Sequence, residues 1–120
     1  MNIKQEINLY IAQHGMWKSR LLNSLEMKTS EFDPNVVKED NNCAFGKWLY
    51  NSISIDLKNS PLYEEVRLTH ARFHKETARI LRLIMDGKIN EAKRSLQMDT
   101  EYATISSKLT LLMMEWKKDL

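Results

Sequence analysis

Residues 60–87 read SPLYEEVRLTHARFHKETARILRLIMDG, a stretch with a start signal at one end and a stop at the other. Ser60 can cap a helix, and Pro61 suits the first helical position, where its missing N–H has no partner to lose. Gly87 supplies the stop, since glycine enters the left-handed conformation without steric cost. Between these ends Leu62, Val66, Thr69, Phe73, Thr77, Ile80 and Ile84 recur at three- and four-residue steps, which predicts one long amphipathic helix.

The same period extends to both sides. From Asn2 to about Met27 it is carried by Ile3, Ile7, Ile11, Leu21, Leu22 and Leu25, with Tyr10 and Trp17 on the stripe. That helix would be roughly 35 to 40 Å long at 1.5 Å per residue. Asn90 can cap a last helix running to about Lys117, with Met98, Tyr102, Ile105, Leu109, Leu112 and Trp116 as its buried row. Lys28–Asn42 is crowded with turn formers and caps and reads as a loop with one helical turn. Cys43–Tyr50 places Phe45, Trp48 and Leu49 at spacings that suit a short helix, with Asp40–Asn42 as its cap. Glycine stands only at 15, 46 and 87 and proline only at 34 and 61, and no segment alternates as a strand would. The expectation is an all-α fold: an antiparallel bundle of three long helices plus a short helix carrying the cysteine, with residues 1–120 as a single domain.

Composition narrows the function. The 120 residues are 42% hydrophobic and 28% charged, with 18 Lys plus Arg against 16 Asp plus Glu, so charge excess does not prevent folding. A net charge of +2 with no concentrated basic face argues against nucleic acid or an anionic membrane surface as partner. Leu111–Met114 is far short of the run of about 18 apolar residues needed to cross a bilayer. Met1–Gln13 mixes Lys4, Gln5, Glu6 and Asn8 with apolar residues, unlike a secretory signal. A lone cysteine, Cys43, suits a reducing compartment, and the expected location is the cytoplasm.

Three histidines and that cysteine carry the chemistry. His14 sits three residues after Ile11 and three before Trp17 on the first stripe, and His70 and His74 are four apart on the Ser60 helix, where they share a face. If the first helix packs beside the Ser60 helix and the cysteine helix lies across both, His14, Cys43, His70 and His74 can supply the four imidazole and thiolate donors that zinc prefers. A helix N-terminus would also favour a Cys43 thiolate. Taken singly, each residue also reads as core: a hydrogen-bonded histidine, or a cysteine acting as a small hydrophobe. Found together, with none left over, the four favour one Zn2+ per chain. Trp17, Phe45, Trp48 and Phe73 would wall such a site with apolar surface, and Gly46 would let the short helix approach a neighbouring helix closely.

The motifs His14-Gly-Met-Trp17, Cys43-Ala-Phe45-Gly46-Lys-Trp48-Leu49 and His70-Ala-Arg-Phe73-His74 resemble, in order and spacing, those of the chemoreceptor zinc-binding (CZB) domain family. The resemblance implies a helical bundle holding zinc through three histidines and a cysteine, with His14, Cys43, His70 and His74 at the matching positions. It further implies a cytoplasmic sensory module, homodimeric, attached to chemotaxis receptors or diguanylate cyclases and responsive to zinc or to oxidants such as hypochlorous acid. The chain contains neither a long methyl-accepting coiled coil nor a GGDEF cyclase motif, so an output for chemotaxis or cyclic-di-GMP signalling is expected from a signalling protein partner or a missing domain.

Four protein ligands leave no open position for a reactive water, so an enzyme is not expected. What such a site can do is change state, because an oxidised sulfur is a poorer ligand than a thiolate. A second reading makes the zinc purely structural and the chain a dimerisation module, with Met113, Met114 and Trp116, and Ile7 with Tyr10, as surplus apolar surface. A third, a hemerythrin-like metal bundle, needs bridging carboxylates and more than three histidines, and Glu76 and Glu91 lack the right relation to the histidines present.

Overall fold

The computed structural model describes residues 2–120. Its helices are α1 (Ile3–Met27), α2 (Pro34–Val37), α3 (Ala44–Lys47), α4 (Ile55–Lys58), α5 (Pro61–Met85), α6 (Ile89–Ser95) and α7 (Glu101–Lys118). Between α3 and α4 the backbone widens into a π turn over Trp48–Ser52. No strand occurs among the described residues, and the fold is the all-α helical bundle expected from the sequence.

Local chemistry explains the ends of the long helices. Asn2 and Gln5 form a reciprocal capping box on α1, each side chain accepting from the other's amide at 2.9 Å. On α5, Ser60 Oγ accepts from the Leu62 amide with Pro61 in the first turn, and Gly87 leaves the helix at φ +79°. The α5 stripe then enters the core: Val66, Phe73, Thr77, Ile80, Leu81 and Ile84 are all buried. Each large apolar side chain of this row contributes about 1.5–3 kcal/mol relative to exposure. α5 packs along α7 and α1, and with α2 on a further side it becomes the central helix of the bundle.

Several expectations need correction. The last helix is broken: α6 ends at Ser95, Asp99 takes a left-handed φ of 69°, and Thr100 starts α7 by accepting from the Ala103 amide. The apolar period simply spans this turn, so Met98, expected in the buried row, is 86% exposed, and Asn90 lies inside α6 rather than capping it. Leu22 falls off the α1 stripe at 49% exposed. Ser54 caps α4, a helical turn the apolar pattern did not signal. The cysteine helix is capped by Cys43 itself, not by Asp40–Asn42, because Sγ reaches the Gly46 amide. Ile7, Met113 and Trp116, assigned above to a partner surface, are fully buried in the chain's own core.

Candidate metal centre

Each donor is placed by a different local device. His14 stands midway along α1, and His70 and His74 occupy successive turns of α5, so these three imidazoles ride on 25-residue helices. Cys43 arrives at the N-terminus of the four-residue α3, where its extended φ/ψ of −82°/162° and the N–H of Gly46, 3.3 Å from Sγ, fix the side chain as a cap. One donor atom from each of the four residues lies within 4.8 Å of all the others. His70 Nε2 is the hub, 2.9 Å from His14 Nε2, 3.1 Å from His74 Nε2 and 3.3 Å from Cys43 Sγ, with Cys43 Sγ 3.8 Å from His14 Nε2. The histidines are buried and Cys43 is partly so.

Proton bookkeeping tests whether a cation fits. His14 Nδ1 lies 2.7 Å from the Tyr10 carbonyl and His74 Nδ1 lies 2.8 Å from the Val37 carbonyl. A carbonyl only accepts, so both Nδ1 atoms carry the ring proton and both Nε2 lone pairs point inward. His70 has one proton to offer in its neutral form. Placed on Nε2 it leaves Nδ1 buried and bare; placed on Nδ1, which has no partner, it leaves three nitrogen lone pairs facing one another. A cation among the four donors would remove this crowding of lone pairs at the centre, with the His70 ring proton then on the partnerless Nδ1. Metal–nitrogen bonds of about 2.0–2.1 Å and a metal–sulfur bond of about 2.3 Å in a tetrahedron separate nitrogens by about 3.3 Å and nitrogen from sulfur by about 3.6 Å. The four distances given above, 2.9–3.8 Å, bracket those values, within a cluster whose donors all lie inside 4.8 Å of one another.

The electrostatics agree for the imidazoles. Burial lowers His14 to about 4 against the pull of the Tyr10 carbonyl, with His74 and Arg20 adding to the fall. His70 is pushed well below the usual histidine value by burial and then by His74 and His14, and His74 is lowered by burial against Val37 and Asp40. All three are therefore neutral near pH 7, the form that ligates metals. Cys43 departs from expectation: amide hydrogen bonds at the helix N-terminus do lower its pKa, but burial outweighs them and the net shift is upward. A dication at the site supplies the charge that makes a coordinating thiol lose its proton.

A family model for the chemoreceptor zinc-binding domain matches residues 14–81. The chain belongs to this family. The match covers more than half of the sequence and encloses all four donors of the cluster. No curated protein and no solved structure matches the chain.

The residues expected to wall this zinc-binding-domain site divide in two. Phe45 meets His70 edge-on at a centroid distance of 5.0 Å and His14 at 5.7 Å, while Phe73 does the same to His14 at 5.5 Å and to His74 at 5.9 Å. Trp48 sits one layer further out, stacked on Phe45 and against Tyr10. Trp17 turns to Phe32, 5.0 Å away, with the Arg20 guanidinium over its ring, so it belongs to a separate aromatic group. Gly46 packs tightly, but against the turn before α3 rather than against a helix. A Cβ there would overlap the Asp40 carbonyl oxygen and lie 2.8 Å from its carbon. Main-chain carbonyls of Tyr10 and Val37 orient two ligand-type imidazoles, a task sequence reasoning did not assign; the first lies one helical turn before His14, whereas nothing in the sequence marks the second.

Proposed function

We propose that this domain is a cytoplasmic regulatory module holding one Zn2+ through His14, Cys43, His70 and His74, and that zinc occupancy or oxidation of Cys43 alters how the bundle engages a signalling partner or output region. The observation that carries this reading is the uneven mounting of the donors: three imidazoles on long helices, and the one oxidisable donor on a four-residue helix. When bound, zinc supplies a charge that holds the thiolate and crosslinks three elements of the bundle. With all four positions filled by protein, the site has none left for a hydrolytic water, which supports a non-enzymatic role. No helix is long and apolar enough to cross a membrane among the described residues. Loss of Cys43 from the donor set leaves α3 tethered only by its own packing, a local change of the kind that regulatory modules transmit.

Elemental mass spectrometry of untagged protein tests the metal, with one zinc per chain expected in the wild type. Stepwise hypochlorous acid tests the switch, read by hydrogen exchange across residues 43–52. Faster exchange there in step with Cys43 oxidation is expected. Oxidation of Cys43 with unchanged exchange throughout the chain would sink the redox form of the proposal.

A second reading, a zinc-stabilised dimerisation module, is favoured by Leu111 and Met114, which α7 leaves exposed. A mass of two chains by light scattering that falls to one on chelation is its expected signature.

A further inference from the structure

Asp40 touches the cysteine turn in three ways. Its carboxylate accepts a hydrogen bond from the Tyr50 hydroxyl. Its main-chain carbonyl faces Cys43 Sγ at 3.9 Å, and that same carbonyl closes the space beside Gly46. Asp40 thus packs against both the Cys43 side chain and the helix that Cys43 caps. Neither Asp40 nor Tyr50 contributes a donor atom to the cluster.

Tyr50 is brought to Asp40 by an unusual piece of backbone. The chain from Trp48 to Ser52 is wound as a π turn, closed by the Ile53 amide on the Trp48 carbonyl at 2.9 Å. Such wide turns are rare and occur preferentially at functional sites. The Tyr50 hydroxyl also lies beside Arg67 of α5, which is itself paired with Glu64, so the contact is anchored to the central helix. A second tyrosine fastens the same π turn differently: Tyr63 of α5 donates to the Leu49 carbonyl at 3.0 Å.

We propose that Tyr50 is a positioning residue for the metal centre, holding the 40–43 turn closed through the Asp40 carboxylate and so setting how slowly a bound metal is released. This rests on the zinc-binding reading above. Tyr63 provides the internal comparison, because it secures the π turn to α5 without reaching Asp40. Loss of one partly buried hydrogen bond to a charged group changes an equilibrium by roughly tenfold, and an effect of that order is expected on release.

The test loads wild type, Tyr50→Phe, Asp40→Asn, the double variant and Tyr63→Phe with Zn2+, then times transfer to an excess of a chromogenic chelator. Parallel Co2+ loading reads the coordination sphere by visible absorption. Tyr50→Phe and Asp40→Asn should each release zinc about tenfold faster, the double variant no faster than the singles, and Tyr63→Phe within twofold of wild type. The Co2+ spectra should coincide, because no donor has changed. A Tyr50→Phe rate within twofold of wild type would overturn the proposal, as would equal acceleration by Tyr63→Phe or additive effects in the double variant. Should Tyr50→Phe fail to fold, Asp40→Asn decides by the same threshold. A wild type that takes up neither Zn2+ nor Co2+ sinks the metal reading itself, whereas a loaded wild type with indifferent variants sinks only the role of Tyr50.

Discussion

The two halves of the metal centre are built to different standards. α1 and α5 are long helices with capped ends and continuous buried stripes, and their histidines have little freedom to leave. The cysteine side is a succession of short pieces, α2, α3, the π turn and α4, held by individual contacts such as Val37 to His74 and Asp40 to Tyr50. Val37, Phe45, Leu49 and Ile53 of this side are buried in the core, but no continuous helix links them, and stability need not be uniform in such a structure. A site joining the two halves would hold a metal between a frame of long helices and a flap of short pieces.

Substitution of the donors themselves should challenge this contrast most severely. A structural zinc contributes roughly 10–16 kcal/mol, so one donor in four accounts for about 2.5–4 kcal/mol, a loss of roughly a hundredfold to a thousandfold in affinity. Cys43→Ala and His74→Ala are both expected to lose this much by chelator competition. Their metal-free forms should differ: hydrogen exchange in Cys43→Ala should quicken only around residues 33–52, leaving α5 protected. Equal loosening of α5 would erase the distinction between frame and flap.

Acid addresses the frame. In the metal-free protein His14 is held neutral, with a pKa lowered by burial to about 4, while an unfolded chain protonates near 6.5. Between these values the unfolded state binds more protons, so stability rises with pH. The His14 contribution is complete above about pH 6.5 and is lost as the pH falls towards 4, by about 3 kcal/mol. His70 and His74 shift in the same direction and deepen the loss. Urea denaturation of metal-free protein at pH 7 and pH 4.5 measures it, and a midpoint unchanged between the two would contradict the buried, neutral placement of these rings.

Gly46→Ala acts on the flap alone. The added Cβ must displace the Asp40 carbonyl, which overpacking data put at about 1–3 kcal/mol. The expected outcome is a lower thermal midpoint together with weaker metal retention, since the displaced atom sits beside Cys43. Full metal retention would show that the turn can shift without carrying the cysteine.

The frame was legible in the sequence because its signals are periodic: the α5 stripe with Ser60, Pro61 and Gly87, and the four-residue step from His70 to His74, survive any packing arrangement. His14 and Cys43 joined them through residue type, being the remaining histidine and the lone cysteine. What periodicity could not convey was interruption. Met98 keeps the helical step of Tyr102 and Ile105, yet Asp99 and Thr100 turn the chain there and leave Met98 in solvent. Contacts between non-periodic pieces were equally silent: the pairing of Asp40 with Tyr50 depends on a π turn, and the approach of Val37 to His74 depends on where α2 lands on α5. Trp17 misled for a related reason, since its place on the stripe shows that it is buried but not which aromatic group it joins.

The arrangement of the indoles has an optical consequence. Trp48 faces Trp116 at 5.8 Å across the seam between the cysteine segment and α7, while Trp17 lies apart on Phe32 beneath Arg20. An excursion of residues 43–52 would be expected to alter the first pair more than the third indole, so intrinsic emission from this unlabelled domain offers a gauge of the flap with a more distant indole for comparison.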